Sequence, residues 1–368
     1  MQKISAFLRR KDIVFSPKRY FIDAMSAMAQ GLFCTLLVGT ILNTLGTQLH
    51  IGFLTDIIVT LGKGDGAMAY TIGGLCSAMV GPGMAVAIGQ ALNAPPMVLF
   101  SLIPVGFATN AMGGAGGPLA VLFVAIIASE IGKAVSKETK IDILVTPIVT
   151  ILCGIGAAAL IAAPIGTAAS AVGKAIMWAT ELQPFFMGII VSVVIGIALT
   201  LPISSAAICA ALGLTGLAGG AAVAGCCAQM VGFAVMSFRE NRWGGLAAQG
   251  LGTSMLQMGN IVRNPRIWIP PTLASAITGP IATCIFRMEM NGAAVSSGMG
   301  TCGLVGQIGV YTGWLADIEA GTKAAITAMD WIGLVLVCFV LPAILSWLIA
   351  QPLRKWGWIG EDDLKLDL

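Results

Sequence analysis

Apolar runs about as long as a lipid bilayer is thick recur throughout this chain. A helix of roughly 20 apolar residues crosses the hydrocarbon core of a membrane. Only 10% of the 368 residues are charged, against about 25% in a soluble domain. The sequence therefore predicts an all-α polytopic membrane protein with about ten transmembrane helices. The predicted spans are residues 21–45, 67–92, 95–111, 116–133, 142–163, 184–202, 204–219, 220–238, 268–286 and 329–350.

The charges between these spans predict which way the helices run. Cytoplasmic loops of membrane proteins carry an excess of Lys and Arg. If the N-terminus lies in the cytoplasm, the basic leader 1–20 and most other basic residues lie there too, whereas Lys63, Lys174 and Lys323 lie outside. We therefore predict a multi-pass protein of the bacterial cytoplasmic (inner) membrane with both termini in the cytoplasm.

Two glycine-rich segments are too polar and irregular to be simple spans. Residues 244–262 and 289–312 lie on either side of the span 268–286, and broken segments of this kind are typical of transporters. We predict that both are re-entrant hairpins. Residues 51–62 and 166–183 are amphipathic, and this pattern predicts interfacial helices.

The interfacial stretch near the middle of the chain suggests a division into domains. We predict an N-terminal scaffold over 21–165, a linker helix over 166–183 and a C-terminal substrate-binding domain over 184–353. The last of these contains both irregular segments. Residues 354–368 form a predicted cytoplasmic tail.

The second irregular segment carries polar groups that suit a hydroxylated solute. Polar groups at membrane depth are costly and mostly functional, and amide side chains both donate and accept hydrogen bonds. The alternatives are an ion pair of Glu289 with Arg287 or with a lipid headgroup, and close helix packing through the small residues. The predicted solute-binding residues here are Glu289, Asn291, Gly300, Thr301 and Gln307.

The end of the first irregular segment adds further polar candidates. Its amides Gln257, Asn260 and Asn264 are predicted solute-binding residues as well. The guanidinium groups of Arg263, Arg266 and Arg287 are candidate contacts for an anion or for an acidic partner protein. The alternative for these arginines is simple anchoring at the membrane surface.

Several kinds of chemistry have no support in the sequence. A single His and nine Cys scattered through apolar stretches do not predict a metal centre. The sequence has no Walker A motif and no nucleophile motif. The basic leader lies beside a span, where such clusters set topology and meet lipid headgroups rather than nucleic acid. We expect a transporter component rather than an enzyme, with no cofactor.

Three stretches of the chain resemble a known family. NPRIWIPPTLASAITGPIATCIFRMEMNG (264–292), GMGTCGLVGQIG (298–309) and the leader RRKDIVFSPKRYFIDAMSAMAQGLF (9–33) resemble the membrane-embedded enzyme IIC family of the bacterial phosphoenolpyruvate-dependent sugar phosphotransferase system. The closest branch is the stand-alone group that includes the perfringolysin regulatory protein.

The resemblance implies a glucose-superfamily IIC fold that works as a homodimer. Such proteins have an N-terminal dimerisation domain and a C-terminal transport domain with two re-entrant hairpins, which moves like an elevator. A hairpin glutamate of the family contacts the sugar, and Glu289 stands in its place. The family's sugar-contacting histidine has no counterpart, because His50 lies in the other half, and GMGT replaces the GITE-like hairpin signature.

The resemblance also implies which partners the chain would need. The chain lacks the phosphorylatable Cys loop of a IIB domain and the His of a IIA domain. Phosphoryl transfer would therefore require separate IIA and IIB proteins. The leading prediction is a permease for a small polar solute, with a sugar as the first choice. A membrane sensor or regulator that kept the fold, and a permease for a non-sugar anion, are the alternatives.

Overall fold

The computed structural model describes residues 2–62 and 67–366, which are almost entirely helical. Lys63 and the final residues of the predicted tail lie outside the described residues. The helices are α1 Gln2–Arg10, α2 Arg19–Thr47, α3 Gly52–Thr55, α4 Ile72–Ala78, α5 Val80–Ala91, α6 Pro96–Gly113, α7 Gly117–Val135, α8 Asp142–Thr180, α9 Pro184–Thr200, α10 Ser205–Leu212, α11 Gly216–Met236, α12 Phe238–Ala247, α13 Met258–Arg263, α14 Ile269–Pro280, α15 Val305–Glu319 and α16 Ala328–Lys355. Strands β1 Val59–Leu61 and β2 Met68–Tyr70 pair antiparallel.

Long apolar helices confirm the predicted fold class, an all-α polytopic membrane protein. Within the described ranges, five helical segments are long and apolar enough to cross a membrane, or six if the bent pair α4 and α5 forms one span. One of these segments, Pro96–Val135, contains both α6 and α7. A side chain on Gly132 of α7 would collide with Val98 of α6, so these two helices run back along each other as a hairpin. The total of ten crossings stays a prediction.

The two predicted interfacial helices do not form with the predicted bounds. Residues 51–62 form the four-residue α3 and then β1, because Val59 and Thr60 are β-branched and favour a strand. Residues 166–180 continue α8 without a break. Pro164 lies inside that helix, and membrane helices tolerate such prolines when neighbouring groups satisfy the freed carbonyls.

The predicted break at Gly219-Gly220 is also wrong. Both glycines lie inside α11, and the chain turns instead between α10 and α11. Gly213 and Gly216 have φ values of +59° and +64° there, a conformation that glycine adopts without strain. The two glycines at 219–220 serve close packing, which sequence alone does not distinguish from a turn.

The chain divides into two compact units, residues 1–167 and 168–368. The roles that we assign to the two halves, scaffold and transport, stay predictions. In the first unit, α5 packs against α2, α6 and α7. A side chain at Gly81 of α5 would lie 2.2 Å from the carbonyl oxygen of Gly106 in α6, so small residues bring these helices together as they do in membrane proteins generally.

The basic leader is attached to the first unit around Asp12. Arg19 Nη2 donates to Oδ2 of Asp12 at 2.5 Å, and Asn93 Nδ2 donates to the same oxygen at 3.1 Å. The buried ammonium of Lys133 donates to the carbonyl oxygens of Asp12 and Leu92, each at 2.9 Å. The hydrogen bond from Arg19 lowers the pKa of the Asp12 carboxyl, because it stabilises the charged form.

In the second unit, α11 is the central helix. Nearly all its residues are buried, and α9, α14 and α16 pack against it. A Cβ at Gly225 would lie 1.9 Å from the carbonyl oxygen of Ser192 in α9, and one at Gly220 would lie 1.7 Å from that of Met288. Since non-bonded atoms do not approach so closely, these neighbours can reach α11 only where it carries glycine.

We expect Gly225→Ala to destabilise the protein. The methyl group would force α9 away from α11, and overpacking of this kind typically costs about 1–3 kcal/mol. Gly244→Ala in α12 is the matched control, because no atom lies within 4 Å of the position its Cβ would take. The measurement is the apparent Tm in detergent. Equal Tm values for the two variants would contradict the close contact.

The lowered pKa of Asp12 predicts a pH dependence of stability. Its charged form stabilises the folded chain above the ordinary pKa of Asp, and that contribution is lost as the pH falls through the lowered value. The effect is modest, since the side chain is 48% exposed and solvent screens the pair. We expect the Tm of the natural protein to fall faster than that of Asp12→Asn below about pH 4. The exposed Asp56, changed to Asn, is the control; parallel curves for Asp12→Asn and the natural protein would refute the attachment.

Candidate functional site

The two irregular segments both pack against α11 and contact each other. The first consists of a wide helical turn, Ala248–Gly252, and a tight one, Ser254–Gln257; the second contains the tight turns Ala294–Gly298 and Cys302–Leu304. The turn Ala248–Gly252 contacts both α11 and the turn Cys302–Leu304. The structure thus brings together two segments that are separated by α14 in the sequence. Whether either one re-enters the membrane stays a prediction.

Contacts with α11 arrange the polar groups along its length. At its beginning, Gly216 and Met290 exchange two backbone hydrogen bonds of 3.1 and 3.0 Å. Near its middle, the backbone of Gly300 lies against Cys226. Just beyond its end, the Ser237 hydroxyl accepts a 2.9 Å hydrogen bond from Gln249. A helix of 21 residues is about 30 Å long, so the predicted site residues fall into three groups spread over that distance.

The group at the beginning of α11 lines an open polar pocket of about 370 Å³. We call it the outer pocket, since the charge pattern of the sequence predicts that this end lies outside the cell. Three of its residues, Arg287, Glu289 and Asn291, were predicted from the sequence. Four others come from α15 and the loop after it. The lining residues are Arg287, Glu289, Asn291, Trp314, Asp317, Thr322 and Lys323.

Asn291 connects the carboxylates of this outer pocket. Its Nδ2 donates to Glu289 Oε2 at 3.1 Å and to Asp317 Oδ2 at 2.9 Å, while its Oδ1 accepts from the backbone N–H of Gly216 at 3.1 Å. The amide therefore holds two acidic groups together at the beginning of α11. Glu289 and Arg287 are both exposed, and the ion pair considered as an alternative does not form between them in the described structure.

Lys323 and Trp314 form the opposite wall of the pocket. The ammonium of Lys323 makes an ion pair with Asp330 at 2.8 Å and lies 5.8 Å from the centre of the Trp314 ring, within the range of a cation–π contact. Trp314 is only 3% exposed and packs edge-on against Trp331. The sequence offered one signal here, the prediction that Lys323 lies outside the membrane, but no sign that Lys323 and Trp314 line the same pocket as Glu289.

The middle group is buried against α11. Gln307 Nε2 donates to Cys227 Sγ at 3.1 Å, and the Thr301 hydroxyl donates to Met230 Sδ at 3.5 Å. Gln307 Oε1 is buried without a hydrogen-bond partner among the described residues. Such an acceptor costs free energy unless water or a ligand satisfies it. Gly300 has a φ of +54°, which lets the backbone bend here.

Sequence reasoning missed another buried amide, that of Gln229, which lies in the middle of α11. Gln229 Oε1 accepts from Trp268 Nε1 at 2.9 Å, and its Nε2 donates to Thr272 at 3.2 Å. The hydroxyls of Thr200 and Ser254 lie 2.7 Å apart in the same network. A lone amide inside an apolar span is the signal that could have identified Gln229.

The third group lies at the end of α11 and forms what we call the amide cluster. Its members share one property, an amide side chain that binds another amide or a backbone group of the C-terminal segment. Gln257 Nε2 donates to Gln249 Oε1 at 2.9 Å, and Asn260 Nδ2 donates to Gln257 Oε1 at 2.8 Å. The amide cluster consists of Asn241, Gln249, Gln257, Asn260 and Asn264.

The two arginines beside the amide cluster are exposed. The guanidinium carbon of Arg266 lies 5.2 Å from the centre of the Trp358 ring. Neither Arg263 nor Arg266 makes an ion pair with the described residues. Their contact with an anion or a partner protein stays a prediction.

The bridging role of Asn291 predicts energetic coupling across the outer pocket. Asn291→Ala and Asp317→Ala should each lower the free energy of unfolding, and the double variant should lose less than the sum, with a coupling of about 1 kcal/mol. The measurement is the Tm of the four proteins in a double-mutant cycle. Additive losses would show that the amide of Asn291 does not connect the second irregular segment to α15. Glu319→Ala, at an exposed neighbouring position, controls for the loss of a negative charge.

Comparison with known proteins agrees with this architecture. The family model described as "Phosphotransferase system, EIIC" matches residues 22–366. None of the curated proteins and none of the solved structures shows a significant match to the chain. The matched residues include most of α2, both irregular segments, α11 and the amide cluster. Because the match extends over nearly the whole sequence, the chain belongs to the phosphotransferase system EIIC family.

Proposed function

We propose that this chain is a permease that binds a small hydroxylated solute, most simply a sugar, in the outer pocket and carries it across the membrane. Members of its family are transporter components rather than enzymes. The observation that carries the proposal is the convergence of Arg287, Glu289 and Asn291 with Asp317 and Lys323 in one open pocket.

The outer pocket has the size and chemistry for a sugar. Its volume of about 370 Å³ lies in the range of small-molecule sites. The carboxylates of Glu289 and Asp317 accept hydrogen bonds from hydroxyl groups, and the cationic side chains donate to ring and hydroxyl oxygens. A polyol presents both kinds of group along every edge, so it matches a site in which donors and acceptors alternate.

The charge balance favours a neutral solute over an anion. Two carboxylates, Glu289 and Asp317, oppose two cations, Arg287 and Lys323, in the lining. Lys323 is already paired with Asp330, so Arg287 is the cation of the pocket that remains open to an anionic ligand. A non-sugar anion held by Arg287 is therefore the second candidate, and the same binding experiment distinguishes it.

The arrangement along α11 supports transport by an elevator-type movement. The outer pocket, the buried groups around Gln307 and the amide cluster all belong to the second unit and all touch α11 or the turn after it. Because one compact unit contains all three groups, that unit can move as a single body together with its solute. The first unit would be the scaffold and would form the contact between the two copies of a homodimer. Phosphoryl transfer to the solute would be the task of separate IIA and IIB proteins.

A panel of ligands tests the proposal. We expect one sugar or polyol to raise the Tm of the detergent-purified protein, because a ligand that binds only the folded state stabilises it by mass action, by about 2.7 kcal/mol at 100 times its Kd. Glu289→Gln should abolish that shift while the protein stays folded, since the neutral amide is a weaker acceptor for hydroxyl groups. The panel includes monosaccharides, disaccharides, polyols, sugar phosphates and organic anions.

Glu319→Gln is the matched control, because it removes an exposed carboxylate outside the pocket lining and should leave the shift intact. A shift that survives Glu289→Gln would remove Glu289 from the site. A shift with organic anions alone that is lost in Arg287→Gln would favour the second candidate. No shift with any ligand would contradict solute binding and favour a sensor or regulator.

A further inference from the structure

The amide cluster is occupied by the chain's own C-terminal segment. We call residues 358–366 the strap. Asn241 Nδ2 and Gln257 Nε2 donate to the carbonyl oxygen of Leu364 at 2.7 and 2.9 Å, and Asn260 Nδ2 donates to that of Lys365 at 2.8 Å. The backbone N–H of Leu366 donates to Asn241 Oδ1 at 2.8 Å. The contact is thus made by side-chain amides that bind a peptide backbone.

Asn264 holds the first half of the strap in the same manner. Its Nδ2 donates to the carbonyl oxygen of Trp358 at 2.8 Å and to Asp363 Oδ2 at 2.7 Å. The same oxygen of Asp363 accepts from the backbone N–H of Gly360 at 2.7 Å, which closes the strap into a loop. Apolar anchors complete the attachment, since Ile359 and Leu364 are 2% and 0% exposed.

The strap and a solute would compete for the same hydrogen-bonding groups. Gln257, Asn260 and Asn264 were predicted from the sequence as solute-binding residues, and each one donates a hydrogen bond to the strap. A buried amide that loses its partner costs free energy until another group replaces it. Water or a hydroxylated solute can supply that replacement, but not while the strap is bound.

The strap follows the glycine that ends α16. The residue before it, Gly357, has a φ of +72°, a conformation that costs glycine little. The carboxylates of Glu361 and Asp362 are exposed, so most of its surface charge faces solvent. Departure of the strap breaks its hydrogen bonds with the amide cluster and exposes the buried Ile359 and Leu364. The backbone N–H groups of Trp358 and Ile359 tie its first residues to the carbonyl oxygen of Leu353 in α16.

We propose that the strap is a displaceable internal ligand of the amide cluster, which closes this end of the second unit and must leave before solute passes. The passage of solute rests on the proposed function, whereas the displacement does not. The charge pattern places this end in the cytoplasm. The strap therefore controls release to the cytoplasm, opposite the outer pocket.

Hydrogen–deuterium exchange of the full-length protein in detergent tests the displacement. Asp363→Ala removes the oxygen that both Asn264 and Gly360 use, and we expect exchange in 358–366 and 257–264 to rise about tenfold. Exchange in α11 and α14 should not change. Glu361→Ala is the matched control, because it removes a neighbouring carboxylate whose side chain is exposed, and it should leave exchange unchanged.

Solute flux from proteoliposomes tests the closure with the ligand identified by the thermal-shift panel. We expect Asp363→Ala to raise the initial rate several-fold over the natural protein and over Glu361→Ala. Unchanged exchange in the strap, or a rise that spreads through α11 and α14, would overturn the displaceable strap. Faster local exchange with unchanged flux would overturn the closure. If no protein of the set carries any solute, the proposed function fails, and the exchange result alone decides whether the strap is displaceable.

Discussion

Close backbone contact along α11 is the constraint on which the second unit depends. The carbonyl oxygens of Ser192 and Met288 approach Gly225 and Gly220 so closely that no side chain fits between them. In a membrane, apolar side chains gain little by leaving lipid, so helices associate through close packing and hydrogen bonds. Glycine makes both possible here, since it lets α9 and the start of the second irregular segment reach the same helix.

The irregular segments are stable because other groups of the protein form hydrogen bonds with their backbone N–H and C=O groups. Non-helical backbone at membrane depth is tolerated only where protein or water provides hydrogen bonds. Gly216 and Met290 exchange two of them, Ser205 donates to the carbonyl oxygen of Gly298 at 2.7 Å, and Ser297 donates to that of Leu214 at 2.6 Å. The serines and glycines of this region therefore have a structural purpose that sequence reasoning had offered only as an alternative. The same contacts hold the outer pocket against α11.

The sequence predicted the class of the protein, and it identified some residues of the candidate pocket but not their neighbours from distant parts of the chain. Hydropathy is a local property, so it identified the apolar helices, and it also identified Glu289 and Asn291 within one polar stretch. It could not identify Asp317 and Lys323 as their neighbours, because that contact joins positions about 30 residues apart through the path of α15. The turn at Gly213 was misplaced at Gly219-Gly220 for a related reason: glycine at a turn and glycine at a helix contact have the same sequence signature. The amides 257–264 were recognised as polar ligands, but their bound partner, the strap, lies about 100 residues further on.

Alternating access requires that a binding site open to one side at a time, and the three polar groups along α11 differ in how they are closed. The outer pocket is open, and Asn291 donates hydrogen bonds to two of its carboxylates. The middle group is closed by packing against α11 and keeps one unsatisfied acceptor, Gln307 Oε1. The amide cluster is closed by the strap. In the proposed function, the hydrogen-bonding groups of the amide cluster become available to a solute only when the backbone of the strap releases them. A hydroxylated solute that replaced the strap there would keep the amides of the cluster paired, and this is the physical condition under which the proposed displacement costs little free energy.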